Sequence, residues 1–458
     1  MNENKSEILM DTMEFVKKHV EDFCTDWVIK GIIKAKNQIR FSESKIDINK
    51  NWDEIKLDLF LSKKRRTTEI TICDLRSQEI IQDALKYCEK LLNVVKKNAD
   101  FKRLPEGPYK YDNTIQIYDD KVKDLGEKAI DLIEESKEAA LSQGAKRVAG
   151  SFYFGSSEAI LKTSSGLEGS YKKSNLNFRI RAFAEDMYAT GESISCSTHL
   201  EKDFNTVEAG KEAGKIAKMA SNGKKGKPGL YNLIIYPKVC NELQVPTPAL
   251  AMNIYAKKMG LSWLLGKNVG DKIASNLISV WDDGRIDYGL GSSPFDDEGV
   301  PSKRTLLIDK GIIHQYYTNT SFSRKNQEST GNAGIIIPRP SNTVFSSGDL
   351  TLEELMEISE KPTLIITSTW YTRYQSYAPP AIFSSLPKDG MFLVKKRGKV
   401  LEPVRELRIN SNHLHMLEHV LALGKELKQV APWLIATGKA IFAPFMLIED
   451  IRMSTGTK

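Results

Sequence analysis

Metal chemistry is the first possibility that the residue types suggest, because the chain contains six histidines. A zinc hydrolase site on a helix needs two imidazoles about one turn apart and a carboxylate that activates water. None of the histidines is followed by glutamate, so the HExxH pattern is absent. The inverted pattern HxxEH occurs once, at His415, Glu418 and His419. This trio is the candidate site for an autonomous metallohydrolase.

A solvated helix face is the simpler explanation of the same trio. At helical spacing the two imidazoles share one face, and the opposite face is covered by Leu414, Leu417, Val420 and Leu421. A third ligand has to come from a distant acid, and the downstream chain offers Glu426, Glu449 and Asp450. The pattern therefore favours a surface coincidence over a metal site.

A run of acids at Asp296, Asp297 and Glu298 is the second candidate for chemistry. Neighbouring carboxylates raise each other's pKa and can then serve as general acids or bases. The alternative is a tight turn at Gly299 whose acids accept backbone hydrogen bonds, and we favour this alternative. The phosphate-binding patterns GxxxxGK[ST] and GxGxxG are absent. The glycine and lysine run 223–229 follows a helix predicted from Asn205 to Ala220, so its amides are not expected at a helix N-terminus where phosphate binds.

Composition restricts the class of protein. At 458 residues the chain is long enough for two or three domains, and 41% apolar residues can build a sizeable core. A net charge of +7 spread over this length is mild, so a dedicated nucleic-acid binder is not expected. Five separated cysteines without a CxxC pair indicate reduced thiols. The polar N-terminus and the interruption of the apolar stretch 431–448 by Lys439 predict a cytoplasmic protein without a membrane span.

Hydrophobic periodicity predicts the elements that position these residues. Helical spacing occurs at 8–23, 77–97 and 122–143, and alternation predicts a strand at 55–61. Later segments read as strands and hairpins, with turns near Gly311 and Gly398. The order favours an α+β fold, with an N-terminal α+β domain at 1–220 and a mostly antiparallel C-terminal β domain at 221–458.

A set of motifs in the last three quarters of the chain resembles the TldD/PmbA peptidase family. The main ones are Phe295 to Pro301 (FDDEGVP), Ser329 to Asn332 (STGN) and Pro338 to Asn342 (PRPSN). Upstream, Ser164 to Leu167 and Thr190 with Gly191 are also similar to the family pattern. The resemblance covers roughly residues 120–451, and Tyr374 to Ser385 departs from the family pattern.

The resemblance implies a particular type of subunit. In this family one type binds zinc through HExxxH and a downstream cysteine, and the PmbA/TldE type lacks these ligands. The segment Pro246 to Tyr255, where the HExxxH helix should lie, has no histidine, and no cysteine follows Cys240. The chain is therefore expected to bind no cofactor and to be a non-catalytic subunit. Zinc is expected in an HExxxH-bearing partner.

The resemblance also implies partners and a substrate. A heterodimer with the zinc-bearing type is expected to degrade small unfolded peptides, and a homodimer of this chain is the other assembly left open. The peptide-cleft candidates are Asp296, Asp297, Glu298, Tyr374 and Tyr377, chosen because they lie on loops expected to form the cleft. Some members are described as modulators of DNA gyrase, so a binding protein acting on that enzyme is the alternative hypothesis.

Overall fold

The computed structural model describes residues 2–244, 251–323, 328–375, 379–431 and 440–455. The helices are α1 Asn2–Glu21, α2 Gln78–Val94, α3 Asp120–Lys123, α4 Lys128–Ser142, α5 Thr206–Met219, α6 Pro237–Gln244, α7 Ile254–Lys258, α8 Leu352–Glu357 and α9 His413–Glu418. The strands of the first half are β1 Asp26–Ser42, β2 Lys45–Lys63, β3 Arg66–Ile72, β4 Arg147–Thr163, β5 Glu168–Phe183 and β6 Thr190–Ser197.

The strands of the second half are shorter and more numerous. They are β7 Lys224–Lys225, β8 Gly229–Ile235, β9 Val280–Asp283, β10 Arg304–Asp309, β11 Ile312–Ile313, β12 Asn342–Phe345, β13 Thr363–Tyr374, β14 Ile382–Lys395, β15 Val400–Arg405, β16 Leu407–Asn412, β17 Val420–Leu423, β18 Lys428–Val430, β19 Ala440–Ala443 and β20 Met446–Thr455.

The first sheet is antiparallel throughout, in the order β3-β2-β1-β4-β5-β6. Side chains alternate between its two faces, as strand geometry requires. On β1, Ile29 and Ile39 belong to the clusters formed with the helices. The intervening residues Lys34 and Lys36 line cavities on the opposite face. The sheet therefore has one apolar face covered by helices and one polar face.

Helices α4 and α5 cover part of the apolar face at very close range. A Cβ atom added at Gly210 would lie 2.1 Å from the Ser136 carbonyl oxygen, and one at Gly214 would lie 2.3 Å from that of Ala140. These two glycines are four residues apart and thus share one face of α5. The absence of their side chains is what allows the two helices to touch.

The second half contains two further sheets. One has the order β11-β10-β9-β12-β19-β18, in which β12 and β19 are parallel. The other is built around β13, β8, β20, β16 and β14, and a further pairing of β14 with β13 closes these five strands into a ring, which we call the barrel. Its interior is filled by buried aliphatic side chains such as Leu233, Ile409 and Ile451.

The α+β class predicted from the sequence is confirmed, with mostly antiparallel sheets. The single helix predicted at 122–143 is wrong, because Gly126 adopts a positive φ of 48° and separates α3 from α4. The strand predicted at 55–61 is the end of the longer β2. All strands of the first sheet precede α5, and those of the other sheets begin at Lys224. Among the described residues no helix is long and apolar enough to cross a membrane.

Candidate functional site

A cleft of about 720 Å³ lies where the polar face of the first sheet meets the barrel. The sheet supplies its floor from β1, β4, β5 and β6, and α6 and β13 supply the opposite wall. Its lining consists mainly of polar and aromatic side chains, including Lys36, Gln38, Arg40, Tyr153, Arg179, Arg181, Glu192, Glu242, Thr369 and Trp370. It is the largest of the cavities described here, and it joins the two halves of the chain.

Glu192 is the centre of an ion network in this cleft. Its carboxylate contacts Arg179 and Arg181, each at 3.2 Å, and ion-pairs with Lys238 at the start of α6. The side chains of Glu192 and Lys238 are both only 7% exposed. Burial alone would raise the pKa of Glu192, but the three cations outweigh it and hold that pKa well below its usual range. Glu192 is therefore a charged structural anchor between the sheet and α6.

The same network continues to the barrel. Arg181 makes two hydrogen bonds to the Asp389 carboxylate, at 3.1 and 3.2 Å. Its guanidinium lies 5.5 Å from the ring centre of Trp370, and the Lys388 ammonium lies 3.6 Å from it. Such cation–π contacts hold the indole in place while leaving it half-exposed, at 52%. The aromatic surface at this wall is thus fixed and available to a ligand.

Strand β13 presents an open edge to the cleft. It pairs with β8 only over Thr363 to Ile366, and from residue 367 onward its one described strand partner is β14. Glu242 on α6 accepts hydrogen bonds from both the amide and the hydroxyl of Thr369, each at 2.6 Å. This carboxylate thus caps the edge at one point. Beyond it, the backbone of β13 can pair with an incoming chain.

A smaller cavity of about 130 Å³ adjoins the cleft and shares Lys36 and Tyr153 with it. Lys34 and Lys173 also line this cavity. The Lys173 ammonium donates a hydrogen bond of 2.8 Å to the Ser292 carbonyl. Burial, together with Lys30 and Lys34, lowers the pKa of Lys173 to about 7. Three lysine amines, those of Lys34, Lys36 and Lys173, are thus gathered in this small cavity.

The predicted acids Asp296, Asp297 and Glu298 lie in a tight turn at one end of the same sheet face. Asp297 ion-pairs with Lys30 of β1, which docks the turn on the sheet. Phe295 packs there against Tyr111 and Tyr171, with ring centres 4.6 and 5.3 Å apart. Through these contacts the turn covers one end of the polar sheet face.

Asp296 and Glu298 are both buried inside the turn. Asp296 accepts backbone hydrogen bonds from Glu298 and Val300, both at 2.9 Å, and from Ala333 at 2.8 Å. Glu298 accepts one from Thr320 at 3.0 Å. Burial, together with the nearby Asp297 carboxylate, raises the pKa of Asp296 to about 7, and burial together with Asp296 raises that of Glu298 to about 8. Their oxygens are thus directed at the protein's own backbone, as the turn interpretation of the sequence expects.

Tyr374, another predicted peptide contact, lies on β13 against the barrel core. Its ring centre is 5.7 Å from that of His413 and 6.1 Å from that of Phe383. His413 is fully buried, stacks on Trp263, and has no hydrogen-bond partner for either ring nitrogen among the described residues. Burial lowers the pKa of His413 to about 4. Tyr377 lies outside the described residues, so its predicted contact stays a prediction.

The HxxEH trio does not converge on a point. The rings of His415 and His419 stack with their centres 3.9 Å apart. His415 Nε2 lies 3.1 Å from the Asp450 carbonyl oxygen, and His419 Nδ1 lies 2.8 Å from the His415 carbonyl oxygen. Glu418 is exposed. Each histidine thus uses one ring nitrogen to bind the backbone.

The residues present do not fit a catalytic zinc ion. Within the described ranges no three side chains of His, Cys, Asp or Glu come together as a metal site. The segments 245–250, 324–327, 376–378 and 432–439, which fall outside those ranges, contain none of these four residue types. Asn253, near the expected position of an HExxxH helix, caps α7 by accepting hydrogen bonds from its first amides.

Sequence reasoning did not identify the ion network, although a signal for it exists. Arg179 and Arg181 alternate with the apolar residues Phe178, Ile180 and Ala182, and the basic residues of β1 alternate in the same way. Such alternation predicts a half-exposed strand. The cleft is instead formed because β13 and β14 of the barrel cover this face, and they lie far along the chain. Arg181 and its partner Asp389, for example, are 208 positions apart.

Domain comparisons match two successive parts of the chain. Residues 122–220 match the PmbA/TldA metallopeptidase central domain, and residues 228–455 match the PmbA/TldA metallopeptidase C-terminal domain. Among relatives, a metalloprotease TldD homolog of Buchnera aphidicola is 29% identical over 164 residues, 34% of this chain and 33% of the relative. A metalloprotease of Methanothermobacter thermautotrophicus is 26% identical over 227 residues, 48% of each chain. These alignments thus span only a third to a half of the relatives' lengths.

Two solved structures share the whole fold. A Thermotoga maritima protein described as a modulator of a DNA gyrase superposes with a TM-score of 0.83 at 20% identity, covering 96% of this chain and 100% of that one. TldE of Thermococcus kodakarensis gives a TM-score of 0.83 at 18% identity, covering 97% and 100%. At such low identity the likeness establishes the fold, and the matched domains establish the relationship. The chain belongs to the TldD/PmbA family of metallopeptidases.

Proposed function

We propose that this chain is the metal-lacking, TldE/PmbA-type subunit of a heteromeric metallopeptidase and that it holds an unfolded peptide for cleavage by an HExxxH-bearing partner. The observation that carries the proposal is a large cleft with an open strand edge and no group of metal ligands among the described residues. An autonomous metallohydrolase at the HxxEH trio is not supported, because the two imidazole rings stack on each other and no third ligand joins them among the described residues.

The open edge of β13 explains how such a subunit could accept peptides of varied sequence. A peptide that adds as a strand gains its affinity from backbone hydrogen bonds, which are independent of its side chains. Trp370 and Tyr371 are 52% and 57% exposed on this strand and offer aromatic surface to alternate side chains. We place the peptide along this edge, beyond the point that Glu242 caps.

A subunit without metal is physically sufficient for this role. A single zinc site in the partner can polarise the scissile carbonyl and supply hydroxide. The second subunit then needs only to position the extended chain and to restrict its motion, which lowers the entropic part of the barrier. The ion network around Glu192 supports this role, because it fixes the wall and floor of the cleft relative to each other.

The decisive test is a mixing experiment. The isolated chain, an HExxxH-bearing family member from the same organism, and the two together are incubated with a disordered peptide, and cleavage and bound zinc are measured. We expect cleavage by the mixture, co-elution of the two chains on gel filtration, and no stoichiometric zinc in this chain alone. Full activity of the isolated chain would overturn the proposal.

A variant tests the position of the peptide. Trp370→Ala is expected to raise the KM of the mixture for the peptide, because it removes the aromatic surface beside the edge. Tyr87→Ala is the matched control, since Tyr87 is equally exposed, at 58%, but lies on α2. Equal KM values for the two variants would place the peptide elsewhere.

Localisation and the gyrase hypothesis remain predictions. Five free cysteines, of which Cys88, Cys196 and Cys240 are buried, support a reducing compartment such as the cytoplasm. A binding role towards DNA gyrase rests on the description of the Thermotoga maritima structure. Tight, salt-sensitive binding of duplex DNA by the isolated chain would favour that alternative.

A further inference from the structure

The floor of the cleft, taken together with the smaller cavity that adjoins it, carries basic side chains in regular rows across three strands. Lys34 of β1, Ser157 of β4 and Lys173 of β5 are direct cross-strand neighbours. In a second row Lys36 faces Gly155, and in a further row Arg40, Ser151 and Arg179 are aligned. Cross-strand neighbours share a face of the sheet, so these cations all project to the same side. The small residues of β4 between them leave the space that forms the cavities.

The carboxylates of the described residues leave this charge largely unbalanced. Arg179 and Arg181 pair with Glu192 and Asp389, as described above. None of Lys34, Lys36 and Arg40 has an ion pair within the described part of the chain. Glu54 lies across from Lys34 on β2, but it is exposed and no ion pair joins the two. The central part of the floor therefore has an excess of positive charge.

Burial and neighbouring like charges disfavour the protonated form of these lysine side chains. Burial and the neighbouring Lys36 lower the pKa of Lys34, and Glu54 offsets this only in part. The Lys173 ammonium has one acceptor, the Ser292 carbonyl, and so retains donors for a ligand. Cations gathered in a cavity without a counter-charge are typical of a site for an anion, which relieves their mutual repulsion.

The spacing of the cations fits one kind of anionic ligand. Residues two apart on a strand, such as Lys34 and Lys36, are separated by about 7 Å, which is also the spacing of alternate side chains in an extended peptide. A strand added beside β13 would thus direct every second side chain towards the floor. Carboxylates on those side chains would meet ammonium groups at matching intervals.

We propose that the floor of this cleft binds the carboxylates of acid-rich, extended peptides through Lys34, Lys36 and Lys173, which gives the subunit a preference for acidic substrates. The assumption that the ligand is an unfolded peptide rests on the proposed function. The charge preference rests on the floor itself. This charge preference would select acidic peptides from a pool of peptides that backbone pairing alone would bind equally well.

A single-stranded nucleic acid is the less favoured occupant. Its phosphates form a continuous chain of charge, whereas the cleft also contains the carboxylates Glu192 and Glu242. Glu242 lies at the point where β13 is capped, so a continuous polyanion running along the wall would be repelled there. Separate carboxylates on alternate residues avoid that contact.

The test is a binding measurement on the isolated chain, which needs no partner and no catalysis. Three fluorescent peptides of equal length, with Glu, Gln or Lys at alternate positions between Ser and Thr, are compared by anisotropy with an oligothymidylate. We expect the Glu peptide to bind about tenfold more tightly than the Gln peptide at low salt, with the difference shrinking as salt is added.

Paired variants locate the effect. Lys34→Gln with Lys36→Gln is expected to abolish the preference for Glu over Gln. Lys211→Gln with Lys215→Gln, two exposed positions on α5 at the opposite face, should leave the preference unchanged. Lys36→Gln alone should reduce the preference for the Glu peptide by at least half. This single variant serves as a second test in case the double variant misfolds, and thermal unfolding shows whether either variant is misfolded.

The outcomes separate this inference from the proposed function. Equal affinities for the Glu and Gln peptides, or a preference that survives Lys34→Gln with Lys36→Gln, overturn the inference even if the mixture of subunits cleaves peptide. Tighter binding of the oligothymidylate than of the Glu peptide overturns it in favour of a nucleic acid. Loss of cleavage by the mixture contradicts the proposed function, whereas a charge preference in the isolated chain would still stand.

Discussion

Replacement of Glu192 by glutamine is a direct test of how the two halves of the molecule are joined. Glu192 belongs to β6 of the first sheet, and Lys238 begins α6, which packs on the barrel side. The substitution keeps the shape of the side chain and removes its charge. Arg181 retains Asp389 as a partner, but Lys238 and Arg179 lose their counter-ion.

The magnitude follows from burial. Lys238 is 7% exposed and Arg179 is 14% exposed, so water cannot replace the lost carboxylate. Removing one partner of a buried ion pair costs about 3–5 kcal/mol, chiefly because the remaining charge is desolvated and unpaired. We expect Glu192→Gln to lower the free energy of unfolding by that amount. Adding Lys238→Met should recover at least about 1 kcal/mol, because it removes the unpaired cation.

Urea unfolding followed by far-UV circular dichroism and tryptophan fluorescence measures both variants. Glu201→Gln is the matched control, since its ion pair with Lys121 is exposed on both sides and should contribute far less to stability. The pKa of Glu192 is depressed, so its stabilisation is present in full above the ordinary pKa of 4.5 and is lost as the pH falls below it. The difference in free energy of unfolding between the wild type and Glu192→Gln should therefore become smaller as the pH falls below 4.5.

Two results would refute the reasoning. In the first, Glu192→Gln lowers the free energy of unfolding no more than Glu201→Gln does, which would mean that the ion network is hydrated and contributes little. A loss that is the same at pH 3 and pH 7 would mean that it comes from altered packing and not from charge.

Three further predictions concern other parts of the molecule. Because the pKa of Glu298 is raised to about 8, the folded state binds its proton more tightly than the unfolded state does. This group alone should lower stability between about pH 5 and 8 by up to about 1.4 kcal/mol per pH unit. Glu298→Gln should remove that contribution from the slope measured by unfolding across this range and leave the part that the raised pKa of Asp296 contributes. His413→Phe should stabilise the protein by about 1–3 kcal/mol, since it removes two unpaired buried nitrogens, and should remove the loss of stability between pH 6.5 and 4; a destabilised variant in thermal unfolding would show that the ring nitrogens are satisfied. Gly214→Ala should destabilise by about 1–3 kcal/mol, because its Cβ overlaps the Ala140 carbonyl, whereas Lys215→Ala on the same helix should be neutral when their unfolding midpoints are compared.

Local features of the fold could be predicted from the sequence where neighbouring residues determine them. Asn205 caps α5, and Thr351 with Glu354 forms a capping box at α8. Each of these contacts spans only three residues, so the residue types and their spacing suffice to predict it. The turn near Gly311 also follows from local chemistry, since its positive φ of 83° suits glycine. The strands β1 and β2 are harder to predict, because charged residues interrupt their apolar alternation and long-range pairing stabilises them.

The candidate site could be predicted from the sequence only in part, because most of its contacts join residues that are far apart in the chain. The acids of the turn were found because they are adjacent in sequence, and their hydrogen bonds to nearby amides fit the turn interpretation. Glu192, Lys238 and Asp389 were not found, because they lie far apart in sequence and meet only when the barrel covers the sheet. A charge on a strand gives no indication of which distant cation it meets.

The strand order of the barrel determines when this half of the protein can form during synthesis. The first sheet is complete once β6 has left the ribosome, whereas β20, the last of the five barrel strands to be made, sits between β8 and β16. About 200 residues separate β8 from β20, and these take roughly 10–40 seconds to translate at about 5–20 residues per second. β8 lacks both of its neighbours until β13 has been made, and it lacks β20 throughout that interval, so its apolar side chains are not fully covered. The nascent chain therefore passes through a stage in which chaperone protection matters, and loss of the final strand by a premature stop leaves the ring open and the polar sheet face without its opposite wall.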